Sequence, residues 1–385
     1  FNHAAAIASF REAQRRDPNC AMCWWGEALA HGPNINAPIT PQANKLALET
    51  IARAQSLSAN VTPAERALIL ALGKRYSDRP DADRATLDGG YADAMLTVAR
   101  YYPAHDDIAL LAAEAAMDTL PWDYWEADKQ AAKPRLGEAI TLVERVMARN
   151  ADHPQAPHLY IHLMENGPDP KRAEAAADRL AAGLAREAGH MVHMPAHIYY
   201  RLGRWKDSIR VNIDAARRDE AYIRASDDKG FVRFGYYPHN VHFILTSAQM
   251  AGDLPTAIRE AKRLAGIVDA DTATQVAWIQ AIHAAPYFAA LQYASPGEVL
   301  AMPAPDPRLA YVGAMRHYAR AVAFAQQRNE RGFRHEYAAM ERIRTSDALK
   351  PMVDQGVPAP DLIALAQHVA RGRLAAARGR HGQAA

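Results

Sequence analysis

Small and apolar residues recur along the chain three, four or seven positions apart. Three segments align on this spacing and carry such residues at matched places: Ala6, Phe10 and Ala13; Ser208, Asn212 and Ala215; Ala257, Ala261 and Leu264. Because residues at these separations lie on one face of an α-helix, the pattern predicts helices that each bury one stripe. We therefore expect a protein built from packed helices.

The second and third of these helices each follow a glycine turn, at Gly203 and Gly252. A helix, a tight glycine turn, a second helix and a proline-marked exit recur at about 34 residues, the spacing of tetratricopeptide repeats. The chain resembles tetratricopeptide-repeat proteins over most of its length, with long insertions. The resemblance implies an all-α solenoid, a right-handed superhelix of about seven to eight helix pairs whose first pair is represented only by its second helix.

We expect a single continuous domain over residues 1–385, in which the repeat pattern weakens after Ala270. The C-terminal helices, at about 271–378, are expected to be less regular because two proline-rich joints interrupt them. The joints read MPAPDP (residues 302–307) and GVPAPD (residues 356–361). Residues 120–135 form another interruption, with Trp and Tyr among charged residues. For this insertion, packing between repeats is favoured over closing the mouth of a groove.

Seven histidines fall in three clusters, which read PHLYIHLMEN, GHMVHMPAHIYYRLGRW and YPHNVHF. At helical spacing, each cluster places its members on one side of a helix: His158, His162 and Glu165; His190, His193 and His197; His239 and His242. A solvated surface has no reason to collect histidines in three matched stripes, and imidazole is the commonest protein ligand for transition metals. We predict a metal centre in the repeats at about residues 154–252.

The family resemblance strengthens this prediction. In tetratricopeptide arrays the first helix of each pair lines the concave surface, and the second, fifth and ninth places of the repeat point into the groove. Alignment on the glycine turns implies these places for all seven histidines, so that three successive repeats direct them at one volume. The histidine motifs, preceded by CAMCWWGEALAHGPNIN and LPWDYW, are also similar to those of a bacterial tetratricopeptide subfamily. That resemblance implies a fold but no activity.

The number of candidate ligands favours a catalytic centre over a structural one. A structural zinc ion takes about four ligands, whereas seven histidines and Glu165 are enough for an open or dinuclear site. Imidazole-rich sites suit copper, zinc, iron or nickel. By the same alignment Glu114 and Asp118 face the groove one repeat earlier, where they could add oxygen ligands. Glu165 and Glu114 are the candidate catalytic bases.

We favour a copper or non-haem iron oxidoreductase that acts on a small organic substrate in the concave groove, because histidines outnumber carboxylates. Two alternatives stay open. One is a zinc-dependent hydrolase in which Glu165 or Glu114 is the base. The other is a scaffold that binds a peptide, a protein or a metal without chemistry. The sequence contains no phosphate-binding glycine loop, no G-x-S-x-G and no H-E-x-x-H, so nucleotide-dependent and serine-hydrolase chemistry are unsupported.

Net charge and cysteine content limit the binding partners and the type of fold further. The net charge of +2 on 385 residues argues against nucleic acid or an anionic membrane surface as the main partner. No apolar run reaches about eighteen residues, so no membrane span is expected. The sequence does not distinguish a periplasmic from a cytoplasmic location.

With two cysteines, Cys20 and Cys23, a disulfide scaffold is excluded. We expect them to be small residues in a packed helix, with a redox pair or a soft-metal site as the alternative.

Overall fold

A computed structural model describes residues 2–226 and 230–384. In this part of the chain no β-strand forms, and helices that follow one another pack in neighbouring pairs. The prediction of an all-α, tetratricopeptide-like fold is therefore confirmed. None of the helices described is long and apolar enough to cross a membrane.

The chain divides into two compact units, Phe1–Gly203 and Arg204–Ala385. The helices of unit 1 are α1 (His3–Arg16), α2 (Ala21–His31), α3 (Pro41–Ser56), α4 (Pro63–Leu72), α5 (Arg84–Tyr101), α6 (Asp106–Asp118), α7 (Leu136–Arg149), α8 (Gln155–Glu165), α9 (Glu174–Arg179), α10 (Gly189–His193) and α11 (Pro195–Arg201). The single continuous domain expected from the sequence stays a prediction.

Unit 2 begins with the longest of its helices. Its helices are α12 (Trp205–Ser226), α13 (Tyr237–Ala251), α14 (Leu254–Ile267), α15 (Ala270–Gln275), α16 (Gln280–His283), α17 (Ala285–Tyr293), α18 (Pro296–Ala301), α19 (Ala310–Gln326), α20 (Glu330–Arg344), α21 (Lys350–Asp354), α22 (Ala359–Ala377) and α23 (His381–Ala384). Four short helices, α15 to α18, lie between residues 270 and 301. The first proline-rich joint follows α18, whereas the second runs into the first turn of α22. The less regular arrangement expected for this region stays a prediction.

Helices α13 and α14 show how the sequence produces one repeat. Gly252 ends α13 with a φ of 70°, a left-handed conformation that glycine adopts without strain. Asp253 then caps α14 by accepting a hydrogen bond from the backbone of Thr256. The stripe predicted on α14 is buried against α13 in one hydrophobic cluster, which contains Ala257, Ala261 and Leu264 together with Val241, Ile244, Leu245 and Ala248.

In unit 1, Arg75 forms the centre of a buried charge network. Its side chain is 2% exposed and its guanidinium donates to Asp88 at 3.0 Å and to Asp118, at the end of α6, at 2.7 Å. Arg84 adds a second guanidinium on Asp88 at 2.9 Å, and the Tyr91 ring lies 4.8 Å below Arg75. The network ties the segment after α4 to α5 and α6, and therefore fixes the position of the α6 face that carries Asp118.

In unit 2, Asp219 of α12 is a buried carboxyl group. It is 4% exposed and accepts a hydrogen bond of 2.7 Å from the Asn240 amide of α13. Burial raises the pKa of Asp219 to about 7, and the hydrogen bond from Asn240 opposes this shift only in part. The ionised form is therefore disfavoured in the folded protein.

We expect Arg75→Met to lower the free energy of unfolding by about 3–5 kcal/mol, because it leaves the buried Asp118 without its counter-charge and leaves Asp88 with Arg84 alone. Urea denaturation followed by circular dichroism measures this. Arg79→Met is the matched control, since Arg79 is 72% exposed and lies 3.9 Å from Asp81; we expect it to change stability by less than about 0.5 kcal/mol. Equal losses in the two variants would show that the network contributes little.

We expect Asp219→Asn to stabilise the protein at pH 8 by about 1–3 kcal/mol and much less at pH 5. An unfolded aspartate ionises near pH 4 and the folded one near pH 7, so the wild type loses stability as the pH rises between these values. The variant does not ionise there and escapes that loss. Urea unfolding of both proteins at the two pH values gives the comparison, and a difference that is independent of pH would contradict the raised pKa.

Candidate metal centre

Helix α8 is enclosed on all sides. Every residue from Ala156 to Glu165 is buried, and His158 and His162 are each 1% exposed. A helix that is buried all round has no solvent-facing side, so its polar side chains meet other protein groups. The sequence places three such groups, His158, His162 and Glu165, along one face.

The second histidine segment is divided between α10 and α11. Proline 195 has no amide hydrogen, so the helical hydrogen bonding is interrupted where α11 begins. Met194, between the two helices, keeps right-handed helical dihedrals, and His190, His193 and His197 consequently stay on one side. The sequence-based prediction of a single helix was wrong at this break, whereas the shared face was correct.

Two hydrogen bonds hold α11 in place beside the rest of unit 1. The Tyr199 hydroxyl donates to Asp178 of α9 at 2.8 Å, and the Arg201 guanidinium donates to Asn166, directly after α8, at 2.6 Å. These contacts position the His197 end of α11 against the C-terminal end of α8.

Five imidazoles of unit 1 form a continuous cluster. Neighbouring ring centroids lie 4.9 Å apart for His158–His162, 5.3 Å for His158–His190, 5.7 Å for His162–His197, 6.1 Å for His190–His193 and 4.7 Å for His193–His197. The structure thus brings together, from two helical segments, five of the seven histidines predicted from the sequence.

Glu165 connects the two segments. One carboxylate oxygen accepts a hydrogen bond from Nδ1 of His162 at 2.8 Å, and the other lies 2.6 Å from Nδ1 of His197. The Trp122 indole also donates to Glu165, at 3.3 Å. Because the two Nδ1 atoms are held by the carboxylate, Nε2 carries the lone pair in the neutral form of each ring. Among the described residues, the buried Nε2 of His162 has no hydrogen-bond partner.

The Nε2 atoms of the cluster come close together in pairs. The distance is 3.3 Å between His158 and His190 and 2.8 Å between His193 and His197. In addition, His158, His162 and His190 offer ring nitrogens that all lie within 4.8 Å of one another, and all three residues are buried. Three neutral donors at this separation are a set that a metal ion could share.

The surroundings of the cluster favour neutral imidazoles and an ionised Glu165. Burial lowers the pKa of His158 and of His190 well below the usual value, and neighbouring imidazoles lower it further. Burial also lowers the pKa of His162, despite Glu165. For Glu165 itself, burial raises the pKa, but His197 and His162 outweigh that effect and hold it well below its usual range. The result is one buried carboxylate beside three rings, those of His158, His162 and His190, whose neutral form is favoured, the form that metal binding requires.

The insertion at residues 120–135 packs against the end of α8. The Trp125 indole donates to the carbonyl of Leu163 at 2.9 Å, and its ring lies so close to Gly167 that a Cβ there would meet it at 2.9 Å. Lys129 donates to the carbonyl of Asn166 at 2.8 Å. Trp122, whose contact with Glu165 the sequence did not reveal, remains 37% exposed. Its placement in LPWDYW, beside the histidine motifs, was the available signal.

Glu114 and Asp118 lie on α6, apart from the imidazole cluster but on the wall of a cavity that also reaches His158. They lie four residues apart on one face of α6, and Asp118 pairs with Arg75. Glu114 makes no hydrogen bond to another residue in the described part of the chain. Both oxygens of Glu165 are engaged by imidazoles. The catalytic roles expected for Glu114 and Glu165 stay predictions.

Two of the predicted ligands, His239 and His242, belong to unit 2. They lie in the first turns of α13 and are partly buried, three residues apart as the sequence predicts. Their membership of the metal centre stays a prediction.

The two cysteines differ from expectation. Cys20 and Cys23 form a disulfide, with Cα atoms 5.3 Å apart, in the first turn of α2. We expected small residues in a packed helix, with a redox pair or a soft-metal site as the alternative; a redox role for the pair stays a prediction. Helical C-x-x-C spacing brings the two side chains onto one turn, which explains why they can pair.

Comparisons with known proteins add little to this geometry. No family model matches the chain, and no curated protein sequence matches it. Among solved structures, the chain is similar to a human IFIT1 dimer with PPP-AAAA, at 12% sequence identity and a TM-score of 0.37, with 89% of this chain and 85% of that chain covered. A likeness of this size carries no functional argument, so the function has to be argued from the site.

We expect His162 and His197 to be protonated at Nδ1 in the metal-free protein, because Glu165 accepts from both. Nitrogen-15 NMR of histidine-labelled protein distinguishes the two tautomers. In Glu165→Gln this preference should weaken in both rings, whereas His335, an exposed residue of α20, should be unaffected. Protonation at Nε2 of His162 would contradict the arrangement.

Proposed function

We propose that the imidazole cluster of unit 1 is a transition-metal centre and that the protein is a metal-dependent oxidoreductase acting on a small organic molecule, with copper the favoured metal. The observation that supports this proposal most directly is the Glu165 carboxylate, which holds Nδ1 of His162 and of His197. A carboxylate behind a metal-binding imidazole fixes the tautomer and raises the basicity of the opposite nitrogen.

The distances between nitrogens agree with this proposal. Two ligands about 2.0–2.1 Å from one ion lie roughly 3.3 Å apart at a tetrahedral angle and roughly 2.9 Å apart at a right angle. The Nε2 pairs His158–His190 and His193–His197 are separated by 3.3 and 2.8 Å. Without a shared proton or cation, two such lone pairs would repel each other in a buried site. Two close pairs within one cluster also suit a dinuclear centre.

Copper and iron are favoured over calcium and magnesium because the donors are imidazoles. Bound there, such a metal would supply one-electron chemistry toward dioxygen or a peroxide. The protein's own residues hold the rings, keep them neutral and exclude water: Glu165 orients two of them, and the enclosed helix α8 surrounds the site with protein. In this proposal Glu165 acts by positioning imidazoles, and Glu114 is the carboxyl group nearer to the substrate.

A zinc-dependent hydrolase is the second candidate. The observation that favours it is Glu114, a carboxyl group that shares a cavity wall with His158 and makes no hydrogen bond to another described residue. Burial raises the pKa of Glu114, a shift that suits a general base working near neutral pH. Similarity of the motifs to a bacterial tetratricopeptide subfamily remains part of the proposal and does not decide between the candidates.

The test is elemental analysis of protein purified without a histidine tag, beside His162→Ala and His190→Ala. We expect at least about one metal ion per chain in the wild type and a loss of metal in both variants, since each removes a buried donor. Glu165→Gln should retain the ligands but bind about 10–100-fold more weakly. His335→Ala, in an exposed position, is the control and should keep the wild-type metal content.

The outcomes separate the candidates. Copper or iron, together with oxygen consumption in the presence of small phenols, supports the oxidoreductase. Zinc, with ester or amide hydrolysis that is lost in Glu114→Gln, would favour the hydrolase. Equal and substoichiometric metal in the wild type, His162→Ala and His190→Ala would contradict both proposals and leave a scaffold.

A further inference from the structure

Unit 1 contains a cavity of about 490 Å³ between α1, α2, α6 and α8. This volume lies within the range of small-molecule sites, about 300–1,000 Å³. The α1 and α2 walls close tightly at one point, where a Cβ on Gly26 would meet the Phe10 ring at 2.3 Å. The cavity therefore has defined walls rather than being a loose gap between helices.

Most of the lining is apolar or aromatic. The larger apolar side chains are Phe10, Trp25, Leu29, Ile35, Leu111 and Met117. The Trp25 indole donates to the carbonyl of Leu68 at 3.2 Å, so this ring is held against the wall by its polar end. A planar, largely apolar molecule would find aromatic faces and aliphatic edges here.

Two carboxyl groups on the α6 wall have oxygens that accept no hydrogen bond from the described residues. Glu114 and Asp118 are four residues apart on one face of this helix. Asp118 gives one oxygen to Arg75, and its other oxygen, Oδ1, is buried without a hydrogen-bond partner in the described part of the chain. Its side chain is 5% exposed. Glu114, as described above, makes no hydrogen bond to another described residue. An acceptor left unpaired in a buried place costs about 1–3 kcal/mol, which a ligand that carries a donor would recover.

On this wall and in the network behind it, three carboxyl groups accompany two guanidinium groups, so negative charge is in excess. Arg75 and Arg84 pair with Asp88 and Asp118 in the buried network. Glu114 makes no ion pair with either arginine, although the charge of Arg75, which also lines the cavity, favours its ionised form. On the α6 wall an anionic ligand group would face carboxyl oxygens that accept no hydrogen bond from another described residue, whereas a hydroxyl or an ammonium group would donate to them.

We propose that the cavity binds an aromatic molecule whose hydroxyl or ammonium group donates hydrogen bonds to Glu114 and Asp118. His158 belongs both to this cavity and to the imidazole cluster. A ligand seated on the α6 wall therefore lies beside the metal centre, and it is the substrate class of the oxidoreductase. Only this last assignment rests on the proposed function, because the binding itself needs no metal.

Titration calorimetry on metal-free protein tests the proposal with three probes of similar size: 4-ethylphenol, phenethylamine and phenylacetate. We expect the phenol or the amine to bind, and phenylacetate to bind at least about 10-fold more weakly because it brings a like charge to Glu114. Glu114→Gln keeps the shape of the side chain and should weaken phenethylamine about 10–100-fold, as expected for a lost hydrogen bond to a charged group. Comparison of the phenol with the amine shows whether the cavity prefers a hydroxyl or an ammonium group.

Leu111→Trp fills the cavity from the same face of α6 and should abolish binding of every probe. Leu70→Trp is the matched control, since Leu70 is 57% exposed on α4 and does not line the cavity. Binding that survives Leu111→Trp, or phenylacetate that binds as tightly as the better of the two donor probes, overturns the proposal. So does a failure of both donor probes to bind.

His162→Ala separates this proposal from the metal centre. We expect the variant to lose metal and to keep probe binding, because His162 does not line the cavity. Glu114→Gln should show the reverse, with weaker amine binding and unchanged metal content. Probe binding without any metal in the wild type would leave the cavity site standing and the oxidoreductase refuted.

Discussion

The arrangement of unit 1 around its imidazoles depends on one buried carboxylate. Moving a carboxylate from water into a protein interior costs several kcal/mol unless hydrogen-bond donors replace the water. At Glu165 those donors are the Nδ1 atoms of His162 and His197 and the Trp122 indole. The same contacts that make the charge tolerable also join α8 to α11. They decide, in addition, which nitrogen of each ring faces its neighbours.

Much of the fold was accessible from the sequence because it is set locally. The turn at Gly252, the cap at Asp253 and the stripe on α14 all depend on residues within a few positions of one another. The grouping of histidines on helix faces is local in the same sense. Helical spacing placed His158 beside His162 and His193 beside His197 before any packing was known.

What the sequence could not supply is contact between distant segments. Glu165 and His197 are separated by a turn and two short helices, and their hydrogen bond depends on how those pack. The partners of Arg75, the indole of Trp122 on Glu165, and the cavity between α2 and α6 are contacts of the same kind. The sequence allows Glu165 to be a metal ligand, a catalytic base or a carboxylate that positions imidazoles. These roles are distinguished by the atoms that its oxygens contact. Sequence spacing gives the residue and not the contact.

The enclosure of α8 has a kinetic consequence. All residues of this helix from Ala156 to Glu165 are buried, so an ion cannot reach His162 from bulk solvent without passing other side chains, whereas His158 borders the cavity of unit 1. Arrival and departure then depend on local opening of the structure, which is slow where packing is tight. A metal bound at His162 would therefore exchange on the timescale of that opening, whereas a small ligand has its own route, through the cavity, to the His158 side of the cluster.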